Sequence, residues 1–168
     1  QRAETTGVTA DARTLVQLSF SEDDTYSFEL YGSNSEAVSI RGKVEGGDLS
    51  LLVEAINAEK GTTGISARIE EGKLWLVSET GDDIVLEDFL SEDNGTAVIQ
   101  AFDYSGEDEL TSAVATLDDD SSARAIGVVR MSSNNAFSTE ADGITVDGST
   151  TQNFSRLESV DDIDLLTD

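Results

Sequence analysis

The stretch that decides the fold is TTGISARIEEGKLWLVSETGDDIVLEDF, residues 62–89. Its apolar and β-branched runs are separated by acidic turns that contain glycine, a pattern typical of short strands. It predicts strands at 64–69, 73–78 and 83–89, with hairpin turns at 70–72 and 79–82. Residues 74–77 are apolar without interruption, so we expect this strand, including Trp75, to be buried on both faces.

An amphipathic helix is predicted just upstream, over residues 48–60. The apolar positions recur at helical spacing, at Leu49, Leu52, Val53 and Ile56. Asp48 suits the N-cap and Gly61 a left-handed exit from the helix. We expect the apolar stripe to pack on the sheet that contains residues 74–77.

Further strands are predicted at 15–20, 25–31, 37–43, 96–102 and 124–131, with shorter ones at 144–146 and 153–157. Residues 21–24 are expected to form a hairpin loop, and 107–116 fits either a short helix or an edge strand. The sequence therefore predicts an α+β fold that is mainly β, with short antiparallel strands and hairpins and one principal helix packed on a sheet. We expect two regions, 1–95 and 96–168, which either fold separately or pack as one unit.

The charge of the chain excludes several classes of partner. Its 168 residues include 35 acidic and 10 basic side chains, a formal net charge of −25. Nucleic acids and anionic membrane surfaces both require a basic footprint, so we expect neither as a partner. No apolar run approaches the length of a membrane span.

The sequence indicates no catalytic, cofactor or metal site. It has no histidine and no cysteine, which removes the commonest general base and the thiolate ligands. Acidic clusters occur at 82–83, 91–95 and 118–120, but none has the spacing of a calcium-binding loop. We expect them to be solvated loops, and we expect the protein not to be an enzyme.

A short repeat relates the start of the chain to its centre. TTGVTA at 5–10 recurs as TTGISA at 62–67, and a helix ending in AINAEKG precedes the second copy. In the first copy, the corresponding helix would lie before residue 1. We therefore expect the chain to begin just after a helix of a longer parent protein.

Residues 48–89 resemble the flagellin hook IN motif, which occurs in the outer domains of bacterial flagellins and in some hook-associated proteins. The matching positions are Ile56, Asn57, Ala58, Thr63, Gly64, Ile65, Ala67, Gly81, Asp82 and Ile84. Residues 5–20 are similar to the segment where flagellin chains leave the inner helices. Residues 126–143 and 155–168 resemble the return towards them, whereas 90–124 resemble no segment of the family.

The resemblance implies the central outer region of a flagellin, of the D2/D3 type, without the inner helices that build the filament. It implies a structural, extracellular role in the flagellum and in motility, with neighbouring flagellin subunits as partners through the parent protein. Serine or threonine residues of such regions can carry O-linked glycans. The isolated region is expected to be monomeric. Two alternatives stay open: the outer domain of a hook-associated or filament-cap protein, and a carbohydrate-binding or adhesive β-domain of a secreted protein.

Overall fold

A computed structural model describes residues 7–135, 138–139 and 153–154 of the chain. The chain divides into a larger compact unit, residues 11–130, and a smaller one formed by 1–10 and 131–168. The division expected at 95/96 falls inside the larger unit. The reason is that the strand beginning at residue 97 pairs in the sheet centre with the first strand of the chain.

Most of the described strands form two antiparallel sheets. In spatial order, the first sheet contains β4 (Ile65–Glu70), β5 (Lys73–Ser78), β1 (Val8–Phe20), β7 (Ala97–Phe102) and β8 (Glu109–Leu117), and β10 (Val128–Ser133) also pairs with β1. The second sheet contains β3 (Val38–Lys43), β2 (Thr25–Tyr31), β6 (Ile84–Ser91) and β9 (Ser121–Ala125). The expected α+β, mainly β class is confirmed.

One apolar core of the larger unit takes side chains from both sheets. Val16, Leu18, Leu74 and Leu76 come from the first sheet, and Tyr26, Phe28, Leu30 and Phe89 from the second. In β2 the alternation of side chains in the sequence matches their burial. Tyr26, Phe28 and Leu30 are buried, while their neighbours are half-exposed. The two sheets therefore form a sandwich with a shared core.

The strand β5 is buried on both faces, as the sequence predicts. Leu74 and Leu76 belong to the central core, whereas Trp75 and Val77 join Leu15 and Phe102 in a second cluster on the other face of the sheet. The indole of Trp75 lies 4.5 Å from the ring of Phe102, measured between centroids. Trp75 is 7% exposed, which confirms that it is a core residue.

Two helices lie between β3 and β4: α1 (Ser50–Ala58) and the single turn α2 (Lys60–Thr63). The helix α1 packs on β3 and on β4, which are outer strands of different sheets. Leu49, Leu52 and Ile56 are buried and Val53 is half-buried, so the predicted stripe faces the core. The helix thus closes one open side of the sandwich.

The predicted helix ends were wrong in detail. The N-cap is Leu49 rather than Asp48, although Asp48 Oδ1 still accepts hydrogen bonds from the backbone N (2.9 Å) and Oγ (2.6 Å) of Ser50. Gly61 lies inside α2, and Gly64 takes the left-handed exit with φ +73°. The chain continues into a second helical turn, and that turn places Thr63 in the core, where it is 0% exposed.

Two of the predicted hairpins were also wrong. Residues 21–24 connect β1 of the first sheet to β2 of the second, and 79–82 connect β5 to β6, which again lie in different sheets. By contrast, the hairpin expected at 70–72 is confirmed: residues 71–72 form the turn, and Glu70 of β4 pairs with Lys73 of β5. A strand as buried as β1 requires a neighbour on each side, and it takes β5 and β7 rather than the strand next in sequence.

The later strands resolve what the sequence left open. Residues 109–117 form an edge strand, β8, and not a helix. The strand predicted at 124–131 is two strands, β9 and β10, separated at residues 126–127. In the smaller unit, β11 (Ser138–Thr139) pairs with β12 (Asn153–Phe154), while the strand predicted at 144–146 lies outside the described residues.

Candidate functional site

Seven of the ten residues that match the IN motif lie in one continuous unit of helix, turn and β4, whereas Gly81, Asp82 and Ile84 lie where the chain crosses to the second sheet. Asn57, at the end of α1, uses its side-chain amide to bind the backbone of Ala67 in β4. Asn57 Nδ2 donates to the carbonyl of Ala67 at 2.9 Å, and Ala67 N donates to Asn57 Oδ1 at 2.8 Å. Because β4 is the outer strand of its sheet, Asn57 satisfies both polar groups that this residue turns away from β5.

Thr63 and Gly64 form the turn between α2 and β4. The Thr63 hydroxyl donates to the carbonyl of Glu59 at 3.1 Å and accepts from Ile65 N at 3.2 Å. The Thr63 carbonyl accepts from Ser33 N at 2.9 Å. The buried hydroxyl of Thr63, followed by a residue tolerant of positive φ, satisfies the Glu59 carbonyl and the Ile65 amide in this turn.

Gly81 and Ile84 shape the segment where the chain crosses between the sheets. Gly81 has φ +76°, and a Cβ added there would lie 2.3 Å from Cβ of Ala12. Ile84 is completely buried in the core. Between them, Asp82 N donates to Ser78 Oγ at 3.2 Å and Asp82 Oδ2 accepts from Thr80 Oγ1 at 2.6 Å. The matched residues are therefore explained by the backbone geometry of this unit.

A second notable site is the buried carboxylate of Asp24, which is 5% exposed. Its oxygens accept from four backbone N–H groups, those of Thr25 (2.6 Å), Glu92 (3.2 Å), Asp93 (3.0 Å) and Gly95 (3.1 Å). Burial raises the pKa of this carboxyl, but the four hydrogen bonds outweigh that effect and hold the pKa below its usual range. Asp24 thus stays ionised and fastens the loop after β6 to the start of β2.

The neighbouring Asp23 fastens a different loop. Its two carboxylate oxygens accept from the backbone N of Gly46 (2.6 Å) and of Gly47 (3.1 Å). Asp23 and Asp24 line an acidic cleft of about 300 Å³, together with Thr25, Lys43, Val44, Glu45, Glu92 and Asp93. The sequence indicates only a turn at 21–24, because apart from Thr25 the residues that these two carboxylates bind are distant along the chain.

The three acidic clusters considered for calcium are engaged in internal contacts. Asp83 forms an ion pair with Arg124, and Asp119 Oδ1 accepts from Ser91 N at 3.1 Å. Asp118 accepts from the hydroxyl of Ser121. Within the described residues, no group of three or more carboxylates is arranged to hold a metal ion.

An apolar groove of about 280 Å³ opens between β8 and β9, on the side of the sandwich that α1 leaves uncovered. Ile99 and Ala101 contribute to its lining from β7, and Val114 and Ile126, which also line it, are 54% and 70% exposed. Its one charged lining residue, Arg124, is held by Asp83. The groove can accept apolar groups but offers no acid–base chemistry.

The comparisons with known proteins assign no family. No family model matches the chain, and no curated protein matches it significantly. Neither helix of the described part is long and apolar enough to cross a lipid bilayer.

Proposed function

We propose that this chain is the surface-exposed outer region of a bacterial flagellin. The observation that carries the proposal is the geometry of the IN-motif residues. Asn57 and Ala67 tie the helix to the edge of the sheet, while Thr63 and Gly64 shape the turn between them. Seven of the ten residues on which the resemblance rests thus lie in one structural unit, and this supports the proposal.

The two ends of the larger unit lie side by side, as an outer domain inserted between flanking segments requires. Its first and last residues, Asp11 and Arg130, form an ion pair with a 3.6 Å separation. In the smaller unit, Thr9 Oγ1 lies 2.8 Å from Ser132 Oγ and donates to the Ser132 carbonyl at 3.2 Å. A region whose two ends lie side by side can be inserted into another fold without separating the flanking elements.

The role we propose is structural and extracellular. The inner helices of the parent would build the filament, and this β-rich region would project outwards and set the charge of the filament surface. The ion pairs among the described residues are largely exposed, with five of their six acidic side chains more than half exposed. Such a surface suits contact with solvent and with neighbouring subunits rather than catalysis.

Immunogold electron microscopy of cells of the source organism tests the proposal. Antibodies raised against the purified chain are expected to label flagellar filaments along their length. The same antibodies adsorbed with the purified chain provide the control and should give no label. Absence of label from filaments of cells that produce the protein would contradict the proposal.

The position of the label also distinguishes the alternatives. Label confined to the hook junction or to the filament tip would indicate a hook-associated or cap protein. Label over the cell envelope, with binding on a glycan array, would indicate an adhesive domain. That last alternative requires exposed aromatic platforms, but Trp75 is enclosed by Phe102 and by the guanidinium of Arg68, 5.3 Å from the indole.

A further inference from the structure

We propose that Asn94–Gly95 is a site of spontaneous deamidation and that Asp24 suppresses this reaction in the folded protein. The pair is the one Asn-Gly dipeptide in the sequence. Asn94 is exposed and adopts φ +65°, whereas Gly95 is buried. This inference concerns chemical ageing of the chain and does not depend on the proposed function.

The modification is deamidation through a cyclic imide. A base removes the proton from Gly95 N, and that nitrogen attacks Cγ of Asn94. The new N–C bond closes a five-membered succinimide, and the side-chain nitrogen leaves as ammonia after regaining a proton. Water then opens either imide bond, which leaves aspartate or isoaspartate at position 94. Glycine favours this reaction because it has no side chain to hinder the attacking nitrogen.

Asp24 opposes the first step because its carboxylate accepts a hydrogen bond from the N–H group that must lose its proton. Gly95 N donates it to Asp24 Oδ2 at 3.1 Å. Deprotonation would create a second negative charge directly beside this carboxylate, in a buried position where charges interact strongly. Hydroxide is also repelled, because Glu92 and Asp93 lie in the same loop and the chain as a whole carries a net charge of −25.

Packing opposes the second step by fixing the nitrogen in place. A Cβ added to Gly95 would lie 2.4 Å from the hydroxyl of Tyr26, so no free space remains on that side of the backbone. That hydroxyl is itself held, because it donates to the carbonyl of Glu22 at 2.9 Å. The preceding amides of Glu92 and Asp93 are bound to the same carboxylate. Ring closure therefore requires the whole loop to open.

Modification would also be self-reinforcing. Aspartate or isoaspartate at position 94 adds a negative charge beside Asp118 and Asp119, which line the same cleft as Asn94. Isoaspartate also lengthens the backbone inside the loop that supplies the hydrogen bonds of Asp24. A chain that opens once and reacts would therefore close less well afterwards. The fraction of chains modified at Asn94 would thus increase with how often this end of the sandwich has opened.

The experiment follows deamidation of Asn94 by peptide mass spectrometry during incubation of the full chain at mildly alkaline pH. The folded wild type is expected to react at least about 100-fold more slowly than the same chain in concentrated urea, because reaction requires local opening. D24N, if circular dichroism shows it folded, should react within about tenfold of the unfolded chain. D23N, which removes the neighbouring carboxylate that binds Gly46 and Gly47 instead, is the matched control and should behave as wild type.

A folded wild type that reacts as fast as the unfolded chain would overturn the proposal, and so would a folded D24N that stays as resistant as wild type. Hydrogen exchange at Gly95 N in the wild type provides a measurement that needs no variant. We expect this amide to be protected by a factor similar to the suppression of deamidation. Rapid exchange at Gly95 N would also overturn the proposal.

Discussion

The side-chain amide of Asn57 pairs with the backbone of Ala67 as a neighbouring strand would. One hydrogen bond runs in each direction, at 2.9 Å and 2.8 Å. Because β4 is the outer strand of the first sheet, its free N–H and C=O groups would otherwise be open to pairing with another chain. The helix α1 thus protects the sheet edge through a single polar side chain.

Asn57→Ala is expected to destabilise the fold by about 1–3 kcal/mol, since it leaves a partly buried donor and acceptor without partners. Urea unfolding followed by circular dichroism measures the change. Asn57→Asp retains the acceptor but places a carboxylate oxygen against the Ala67 carbonyl, so its loss should be comparable or larger. Asn135→Ala changes an exposed asparagine and should remain within about 0.5 kcal/mol of wild type. Equal stability of N57A and N135A would refute the edge-protection role.

Ile56→Ala should cost about 2–5 kcal/mol, because Ile56 is completely buried and its truncation leaves a cavity in the shared core. Leu51→Ala is the matched control on the same helix. Leu51 is 54% exposed, and its truncation should have an effect of less than about 0.5 kcal/mol. Denaturant melts that show similar losses for both variants would mean that α1 does not supply the core.

Gly81→Ala should be more destabilising than Gly46→Ala. Both glycines have positive φ, at +76° and +61°, so both variants incur the same kind of backbone strain. At Gly81 the new methyl group would also meet Cβ of Ala12 at 2.3 Å, whereas nothing lies within 4 Å of the corresponding position at Gly46. Thermal melts of the two variants therefore isolate the cost of the close contact where the chain crosses between the sheets.

The contribution of Asp24 to stability should vanish in acid. Its folded pKa is lowered, so its hydrogen bonds stabilise the protein above the unfolded pKa and are lost as pH falls through the folded pKa. The difference in unfolding free energy between wild type and Asp24→Asn should be constant near neutrality and should shrink below about pH 4. Urea melts over that range measure it, and a difference independent of pH would contradict the ionised state of Asp24.

Sodium chloride should raise the thermal stability of the chain, because the net charge of −25 makes its carboxylates repel one another. Screening shortens the range of this repulsion from about 10 Å at 0.1 M salt to about 3 Å at 1 M. Melting curves at matched ionic strength, with and without calcium, should coincide. A flat response to salt would remove the repulsion argument, and a specific rise with calcium would show that one acidic cluster is a binding site.

The sequence determined most of the local structure, because those features depend on near neighbours along the chain. The alternation in β2, the apolar run in β5 and the stripe Leu52–Ile56 on α1 each have the periodicity of the element that forms. The turn at 70–72 is likewise local, since it joins two strands that pair directly. The net charge of −25 likewise predicts from composition alone that nucleic acids and anionic membranes are not partners.

Only the tertiary structure decided which strands are neighbours and which carboxylate is buried. The segments 21–24 and 79–82 look like hairpin turns but connect different sheets, because β1 fills its two free sides with β5 and β7. The amides of Glu92, Asp93 and Gly95, which bind Asp24, lie 68–71 residues away in sequence. The partners of strand hydrogen bonds and of buried charges are set by the tertiary structure, which brings distant segments together. The short-range periodicity of a sequence does not specify which distant segments these are.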